Sequence, residues 1–352
     1  MGIMPHRDVE RALKLALGLD IPFWPQLPNV SFYEDMYAQS SQNFPGVVVD
    51  PEAGRISFRL ARFEEELDSY FERMDSPDTF VLSPQYSAVF CRFLQLALDR
   101  YPAIKGQITG PVSFGLKIID EERKPMIFNE TVRGVLFDFI QRKANVQYNQ
   151  LKEKNENAFV WVDEPGLGGV FSSLSGYNDL HAAEDFRNFW QGIEGPKAMH
   201  LCADVNLPYL LGLGIDLLSF DAYQIEFMPK EYAPVVADFL RGGGTIAWGI
   251  VPTGFSSLTQ VTPEGLVKQL TGYWGVVTQE TGMSLKQIAE QALVTPARCC
   301  LRVIEMEDAG AAKKGLEWLE GSASLSIEEK VVERAFAILA SVSSSLRERF
   351  RL

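Results

Sequence analysis

A short run near the middle of the chain carries two residue types that bind metal ions. Residues 198–202 read Ala-Met-His-Leu-Cys, an apolar run that predicts a buried strand ending in His200 and Cys202. Side chains alternate along a strand, so these two point to the same face. An imidazole and a thiolate on one face are suitable zinc ligands. The spacing therefore indicates two ligands of a zinc site.

Later strand-like runs supply candidates for the remaining ligands. One run ends at Asp221, and another leads to the adjacent Cys299 and Cys300. In α/β barrels the carboxyl ends of the strands carry the chemistry. We therefore predict one zinc ion held by His200, Cys202, Cys299 and an acidic group. A histidine and a cysteine on an apolar strand are, alternatively, ordinary core residues, and a closed structural zinc site is a second alternative.

Composition limits the classes of function. The chain has 352 residues, a formal charge of −13 and 46% apolar residues, which suits one large globular domain or two small ones. We assign residues 1–352 to a single domain. The acidity argues against nucleic-acid and anionic-membrane binding, because either needs a basic patch. Few cysteines, no secretory signal and no membrane-spanning apolar run predict a cytoplasmic protein with reduced thiols.

Strands alternate with helices along most of the sequence, which predicts a parallel sheet. No glycine-rich phosphate loop follows any strand, so a nucleotide-binding doubly wound sheet is disfavoured. We predict an α/β (β/α)8 TIM-type barrel with an N-terminal β-hairpin addition at 46–58 and a C-terminal helix at 327–350. The proline-rich run 21–28 is predicted to be a loop, and an eighth strand is not identified. The predicted strands are 1–5, 104–109, 158–162, 198–202, 217–220, 245–250 and 292–295, and the other predicted helices are 9–17, 61–74, 83–101, 129–154, 183–191, 263–280 and 284–291.

Four motifs at predicted strand ends together resemble one family, the C-terminal catalytic barrel of cobalamin-independent methionine synthase. This family lies in the wider superfamily that includes uroporphyrinogen decarboxylase. The resemblance covers nearly the whole chain, and the His-x-Cys with a later Pro-x-x-Cys is its specific part. The motifs are Gly110-Pro111-Val112-Ser113, Asp163-Glu164-Pro165, His200-x-Cys202 and Thr295-Pro296-Ala297-Arg298-Cys299.

The resemblance implies a Zn²⁺ ion that binds the sulfur of homocysteine directly. Its ligands match His200, Cys202 and Cys299, and the family's glutamate falls on Asp221 when strands are aligned by their ends. A free thiol has a pKa of about 8.5 and is mostly protonated at neutral pH. Zinc keeps such a thiol deprotonated, so that it can attack an activated methyl group.

For two of the four predicted zinc ligands, a second residue is an alternative. Glu226 lies close to Asp221 in sequence and could replace it, because aspartate is one methylene shorter than the family's glutamate. The late motif carries one extra residue, Arg298, so Cys300 is an alternative to Cys299.

The same resemblance implies residues that bind substrate. The aspartate of Asp-Glu-Pro contacts the amino group of homocysteine, which assigns that role to Asp163 and places Glu164 beside it. Gly110 and Ser113 are expected to shape the pocket wall, and Trp24 to stack on a flat donor such as a pterin. The alternatives are a carboxylate that caps a turn or neutralises a lysine, a tight turn at the glycine, and a tryptophan that packs in the core.

The predicted activity is a zinc-dependent transfer of a methyl group to a thiol, with homocysteine giving methionine. The sequence matches the short, single-barrel form, for which folate or a methyl-corrinoid protein is the expected donor. One departure concerns the first strand, where Ile3 replaces the family's substrate-contacting serine. The alternatives are a corrinoid-linked methyltransferase for another thiol and a metal-free decarboxylase-like or binding member of the superfamily.

Overall fold

The computed structural model describes residues 2–171, 176–202, 206–300 and 325–352. The chain divides into two compact units. The N-terminal unit comprises Gly2 and His6–Ala203, and the C-terminal unit comprises Ile3–Pro5 and Asp204–Leu352. The assignment of residues 1–352 to a single domain stays a prediction.

The N-terminal unit contains a hairpin and a parallel ladder of strands. The hairpin strands β1 and β2 pair antiparallel, as the sequence predicts. Strands β3, β4 and β5 pair parallel in that order. The strands are β1 (Val47–Asp50), β2 (Arg55–Phe58), β3 (Ile104–Thr109), β4 (Ala158–Asp163) and β5 (Lys197–Leu201). The helices are α1 (Val9–Leu17), α2 (Met36–Ser41), α3 (Leu60–Arg73), α4 (Ala88–Phe93), α5 (Pro111–Lys117), α6 (Glu130–Lys152) and α7 (Asp179–Gln191).

Register places polar side chains of this ladder on one face. Every residue of β3 and β4 is buried, as expected when helices cover a parallel sheet. Lys105 is the partner of Phe159, Thr109 is the partner of Asp163, and Asp163 is in turn the partner of His200. Residues that pair in a parallel ladder point to the same side. Thr109, Asp163 and His200 therefore form one layer at the carboxyl ends of the strands.

The proline-rich run that the sequence predicts as a loop is extended along β3. Phe23 forms a parallel bridge with Lys105, whose backbone N–H donates to the carbonyl of Pro22 at 2.9 Å. The backbone N–H of Gln26 donates to the carbonyl of Gly2 at 2.8 Å. Proline lacks the N–H that a full ladder requires, so the pairing stays at single bridges. Residues 21–28 are therefore a loop, as the sequence predicts, and this loop meets β3 at an isolated bridge.

The C-terminal unit repeats the parallel arrangement. Strands β6, β7 and β8 pair parallel in that order. The strands are β6 (Leu217–Phe220), β7 (Thr245–Val251) and β8 (Ala292–Pro296). The helices are α8 (Leu207–Leu211), α9 (Ala233–Arg241), α10 (Phe255–Gln260), α11 (Pro263–Thr281), α12 (Leu285–Glu290) and α13 (Ile327–Phe350). Helix α13 buries its apolar stripe, which confirms the predicted C-terminal helix.

One predicted helix was mostly wrong. The prediction spans 83–101, whereas the helix covers only Ala88–Phe93. The side-chain amide of Asn155 donates to the carbonyls of Leu98 and Tyr101, at 3.0 and 2.8 Å. These tertiary hydrogen bonds hold the backbone at Leu98 and Tyr101 in a non-helical conformation, although the local sequence favours a helix. Among the helices of the described residues, none is long and apolar enough to cross a bilayer.

Candidate functional site

The carboxyl ends of β4 and β5 bring together a carboxylate and an imidazole. Asp163 and His200 are direct partners in the ladder. Asp163 is only 5% exposed and His200 only 3% exposed. Cys202 follows His200 by two residues and is half-buried. The structure therefore places three of the predicted site residues at one end of the N-terminal unit.

Asp163 is a buried acid with spare hydrogen-bonding capacity. Its Oδ1 is buried and receives no hydrogen bond from the described residues. Burial raises the pKa of this carboxyl group, and the positive charge of Lys105 opposes the shift. A buried carboxylate without a donor is costly, so a cationic group that reaches this oxygen gains free energy. Asp163 is thus suited to hold an ammonium group.

His200 is a neutral imidazole at neutral pH. Burial lowers its pKa well below the usual value, and the charge of Lys105 acts in the same direction. Neutral imidazole is the form that binds metal ions. The electrostatics of His200 therefore fit the role that the sequence predicts for it.

Lys105 is a buried charged residue that sequence reasoning did not select. Its Nζ donates to Oε1 of Gln107 at 2.9 Å and lies 4.8 Å from the centroid of the Phe23 ring. Burial lowers the pKa of Lys105 to about 8, and the charge of Asp163 counteracts that shift. The available signal was a lysine within a predicted strand of a parallel sheet, which is unusual because lysine is almost never fully buried unless paired.

Tyr37 is a second residue that the sequence motifs do not contain. Burial raises the pKa of its phenol, and the nearby charges of Glu164, Asp163 and Cys202 raise it further. It therefore stays a neutral hydroxyl close to these groups. Tyr37 lies on α2, far from them along the chain, and no spacing pattern links it to them.

Glu164 joins the end of β4 to the start of α5. It is fully buried; its Oε1 accepts from Val112 N at 3.0 Å, and its Oε2 accepts from Ser113 N at 2.7 Å and from Ser113 Oγ at 2.5 Å. Burial raises the pKa of Glu164 to about 7, although the bonds from Ser113 and Val112 oppose the shift. A Cβ at Gly110 would collide with this carboxylate. Glu164, Ser113 and Gly110 thus form one structural cap, and substrate contact by these three stays a prediction.

Trp24 lies in the core of the N-terminal unit. It is 0% exposed, its Nε1 donates to Oε1 of Gln147 at 3.4 Å, and its ring centroid is 5.0 Å from that of Phe90. These contacts match the packing alternative, and stacking on a methyl donor stays a prediction.

In the C-terminal unit, Asp221 directly follows β6 and is paired with an arginine. Asp221 is 2% exposed, and its Oδ2 accepts from Nε of Arg298 at 2.7 Å. Its Oδ1 accepts from the backbone N–H of Gln224 at 3.2 Å, and the Gln224 side chain donates to Oδ2. The charge of Asp221 is thereby balanced, and Oδ1 keeps a lone pair that a metal ion could use. The alternative ligand Glu226 is exposed.

The two adjacent cysteines differ in environment. Cys299 is exposed and Cys300 is buried. Burial raises the pKa of the Cys300 thiol to about 12, so it stays protonated at neutral pH. The exposed Cys299 is the more accessible of the two thiols, and its assignment as the metal ligand stays a prediction.

The donor chemistry of His200, Cys202 and Cys299 fits zinc, and Asp221 can contribute one oxygen while Arg298 holds the other. Across the part of the chain that the structure describes, no three His, Cys, Asp or Glu side chains gather as a metal-binding group. Zinc at these residues therefore stays a prediction.

Comparisons with known proteins give a match in structure. No protein-family model and no curated protein matches the sequence. Among solved structures, a methyltransferase from Methanosarcina mazei superposes with a TM-score of 0.54 at 13% sequence identity, over 99% of this chain and 87% of that one. At this identity the likeness concerns the fold alone. It confirms the α/β fold of the TIM-barrel type that the sequence predicts.

Proposed function

We propose that this protein is a methyltransferase that transfers a methyl group to a thiol, with homocysteine as the acceptor and methionine as the product. The fold it shares with a methyltransferase supports the reaction class. The motifs at the strand ends support the choice of thiol.

Asp163 is the single observation that carries the choice of an amino-acid thiol. The residue is 5% exposed, and Oδ1 of its carboxylate has no hydrogen-bond donor within the described chain. The ammonium of homocysteine supplies that donor together with a compensating charge. A thiol without an amine leaves the carboxylate unsatisfied, so Asp163 selects against it.

We assign zinc binding to His200, Cys202, Cys299 and Asp221. Bound zinc would hold the substrate sulfur as a thiolate at neutral pH. The chain's own contribution is to keep His200 neutral by burial and to fix the backbone beside Asp163 through Glu164. Tyr37, kept protonated, offers a hydroxyl donor close to the same groups.

The methyl donor is proposed to be either a methylated folate or a methyl-corrinoid. A corrinoid-linked enzyme that uses another thiol, and a metal-free relative that decarboxylates or only binds its ligand, are the competing functions.

The test is methionine formation by the purified, zinc-supplied protein. L-homocysteine is incubated with 5-methyltetrahydrofolate or methylcobalamin, and methionine is quantified by mass spectrometry. Asp163→Asn is expected to raise the KM for homocysteine by about 10- to 100-fold, because the charge-assisted bond to the ammonium is lost. Asp138→Asn, a partly exposed carboxylate in the same unit that pairs with Arg142, is the control. Absence of methionine with both donors would exclude homocysteine as the acceptor.

A further inference from the structure

Tyr37 carries a hydroxyl group whose partner the proposed function does not name. The residue lies on α2 and is half-buried. Within the described part of the chain, its backbone N–H donates to Oδ1 of Asp35 at 2.8 Å, whereas its hydroxyl forms no hydrogen bond. A phenol has one O–H donor, so this donor is open to a ligand.

Two hydrogen bonds from one residue fix α2 at the carboxyl end of β3. The Oγ1 of Thr109 donates to the carbonyl of Met36 at 3.0 Å, and the N–H of Thr109 donates to Oγ of Ser40 at 3.2 Å. Thr109 is also the ladder partner of Asp163. Since Tyr37 directly follows Met36, these bonds place it at the strand ends that carry Asp163.

A second set of contacts, from α5, leads to the same place. The ring centroid of Tyr37 lies 6.3 Å from that of Phe114. The neighbour of Phe114, Ser113, donates to the carboxylate of Glu164, which directly follows Asp163. Burial raises the pKa of the Tyr37 phenol, and the charges of Glu164 and Asp163 raise it further, as expected for groups a short distance apart. Helices α2 and α5 therefore both bring Tyr37 to the side of Asp163.

The chemistry of an amino acid requires two binding groups that lie side by side. Its ammonium and carboxylate groups are attached to the same carbon atom, so a carboxylate follows the ammonium to Asp163. There it meets the negative charge of Asp163, and a hydrogen-bond donor is needed to offset the repulsion. Tyr37 meets this need, because it stays a neutral O–H donor next to that carboxylate.

We propose that the hydroxyl of Tyr37 binds the carboxylate of the amino-acid acceptor while Asp163 binds its ammonium group. This inference rests on the proposed function, and it names a specificity residue for its substrate. Both residues belong to the N-terminal unit, so that unit recognises the amino-acid end of the acceptor. A thiol without a carboxylate leaves the Tyr37 donor unused and binds less tightly.

The test is equilibrium binding without a methyl donor, measured by titration calorimetry on the zinc-supplied protein. Three thiols are compared: L-homocysteine, 3-mercaptopropylamine, which lacks only the carboxylate, and 4-mercaptobutanoate, which lacks only the amine. Tyr37→Phe removes the hydroxyl and keeps the ring beside Phe114. Tyr33→Phe is the matched control, because Tyr33 precedes α2 and its ring packs on that of Tyr86, with centroids 4.8 Å apart. Asp163→Asn is measured in parallel and tests the proposed function separately.

Tyr37→Phe is expected to weaken the binding of homocysteine and 4-mercaptobutanoate by about 10-fold and to leave that of 3-mercaptopropylamine unchanged. The Tyr33 control should bind all three thiols as the native protein does. Unchanged binding of both carboxylates by Tyr37→Phe, or an equal loss for all three thiols, overturns the role of Tyr37. If Asp163→Asn binds the two amines as tightly as the native protein, the amino-acid choice of the proposed function fails, and Tyr37 is judged on 4-mercaptobutanoate. If the native protein binds none of the three, both proposals are overturned.

Discussion

Lys143 offers the clearest link between one buried group and the stability of the protein. It lies on α6 and is 2% exposed, and its Nζ donates to the carbonyl of Gln42 at 3.1 Å. Its ammonium also lies 5.4 Å from the centroid of the Phe139 ring. Burial lowers the pKa of Lys143 from 10.5 to about 7. Burial thus destabilises the charged ammonium form of Lys143 in the folded protein.

The pKa gives the magnitude and the sign of the effect. The folded pKa lies below the unfolded one, so between about pH 7 and 10.5 the unfolded chain binds more protons at this residue. Stability therefore rises with pH across that window, and below about pH 7 the full penalty applies. A fall from 10.5 to about 7 corresponds to roughly 5 kcal/mol of lost stability at acid and neutral pH.

Lys143→Met removes this penalty and nearly preserves the volume. It also leaves the carbonyl of Gln42 without a donor, which costs about 1–3 kcal/mol at every pH. The variant is therefore expected to be about 2–4 kcal/mol more stable than the native protein at pH 7 and less stable near pH 10.5.

The assay is urea denaturation followed by tryptophan fluorescence at several pH values from 6 to 10.5. Lys152→Met, at an exposed position at the end of the same helix, is the matched control and should not change the slope of stability with pH. The reasoning is refuted if the native protein and the Lys143 variant give parallel curves with no crossing point.

Two further outcomes follow from the site. Gly110→Ala is expected to lower the free energy of unfolding by about 1–3 kcal/mol, because the new Cβ collides with Glu164. The control is Gly134→Ala, where the Cβ meets open space on a helix, and it should raise the free energy of unfolding by about 0.5–1 kcal/mol. Equal urea midpoints for the two variants would contradict the collision. Elemental analysis is expected to find about one zinc per native chain and almost none in Cys202→Ser. Cys91→Ser should keep its zinc, and retention of zinc by the Cys202 variant would remove Cys202 from the ligand set.

Strand ends were predictable from the sequence because apolar runs of the right length stop at polar residues. Asp163 and His200 follow this rule, and the register makes them direct partners. The prolines around Phe23 correctly predicted a loop, whereas the isolated bridge from this loop to β3 was not predictable because a single bridge leaves no alternating pattern.

The contacts that decide each side chain's role were less predictable than the positions. Arg298 looked like an inserted residue, and its pairing with Asp221 joins positions 77 residues apart. Trp24 combines an aromatic ring with a proline-rich context, which fits a pocket and a core equally well; only its burial distinguishes them. Such facts depend on tertiary packing, to which local patterns are insensitive.

The buried lysine of β3 has a consequence for the kind of molecule that can approach Asp163. Burial disfavours the charged forms of Lys105 and Asp163, and each group in turn favours the charged form of the other in a medium that screens poorly. A simple amine that entered beside Asp163 would add one positive charge to this pair. A zwitterion would bring its own negative charge and leave the local sum unchanged. The proposed amino-acid acceptor would therefore meet Asp163 without changing the net charge around Lys105, which a simple amine would change.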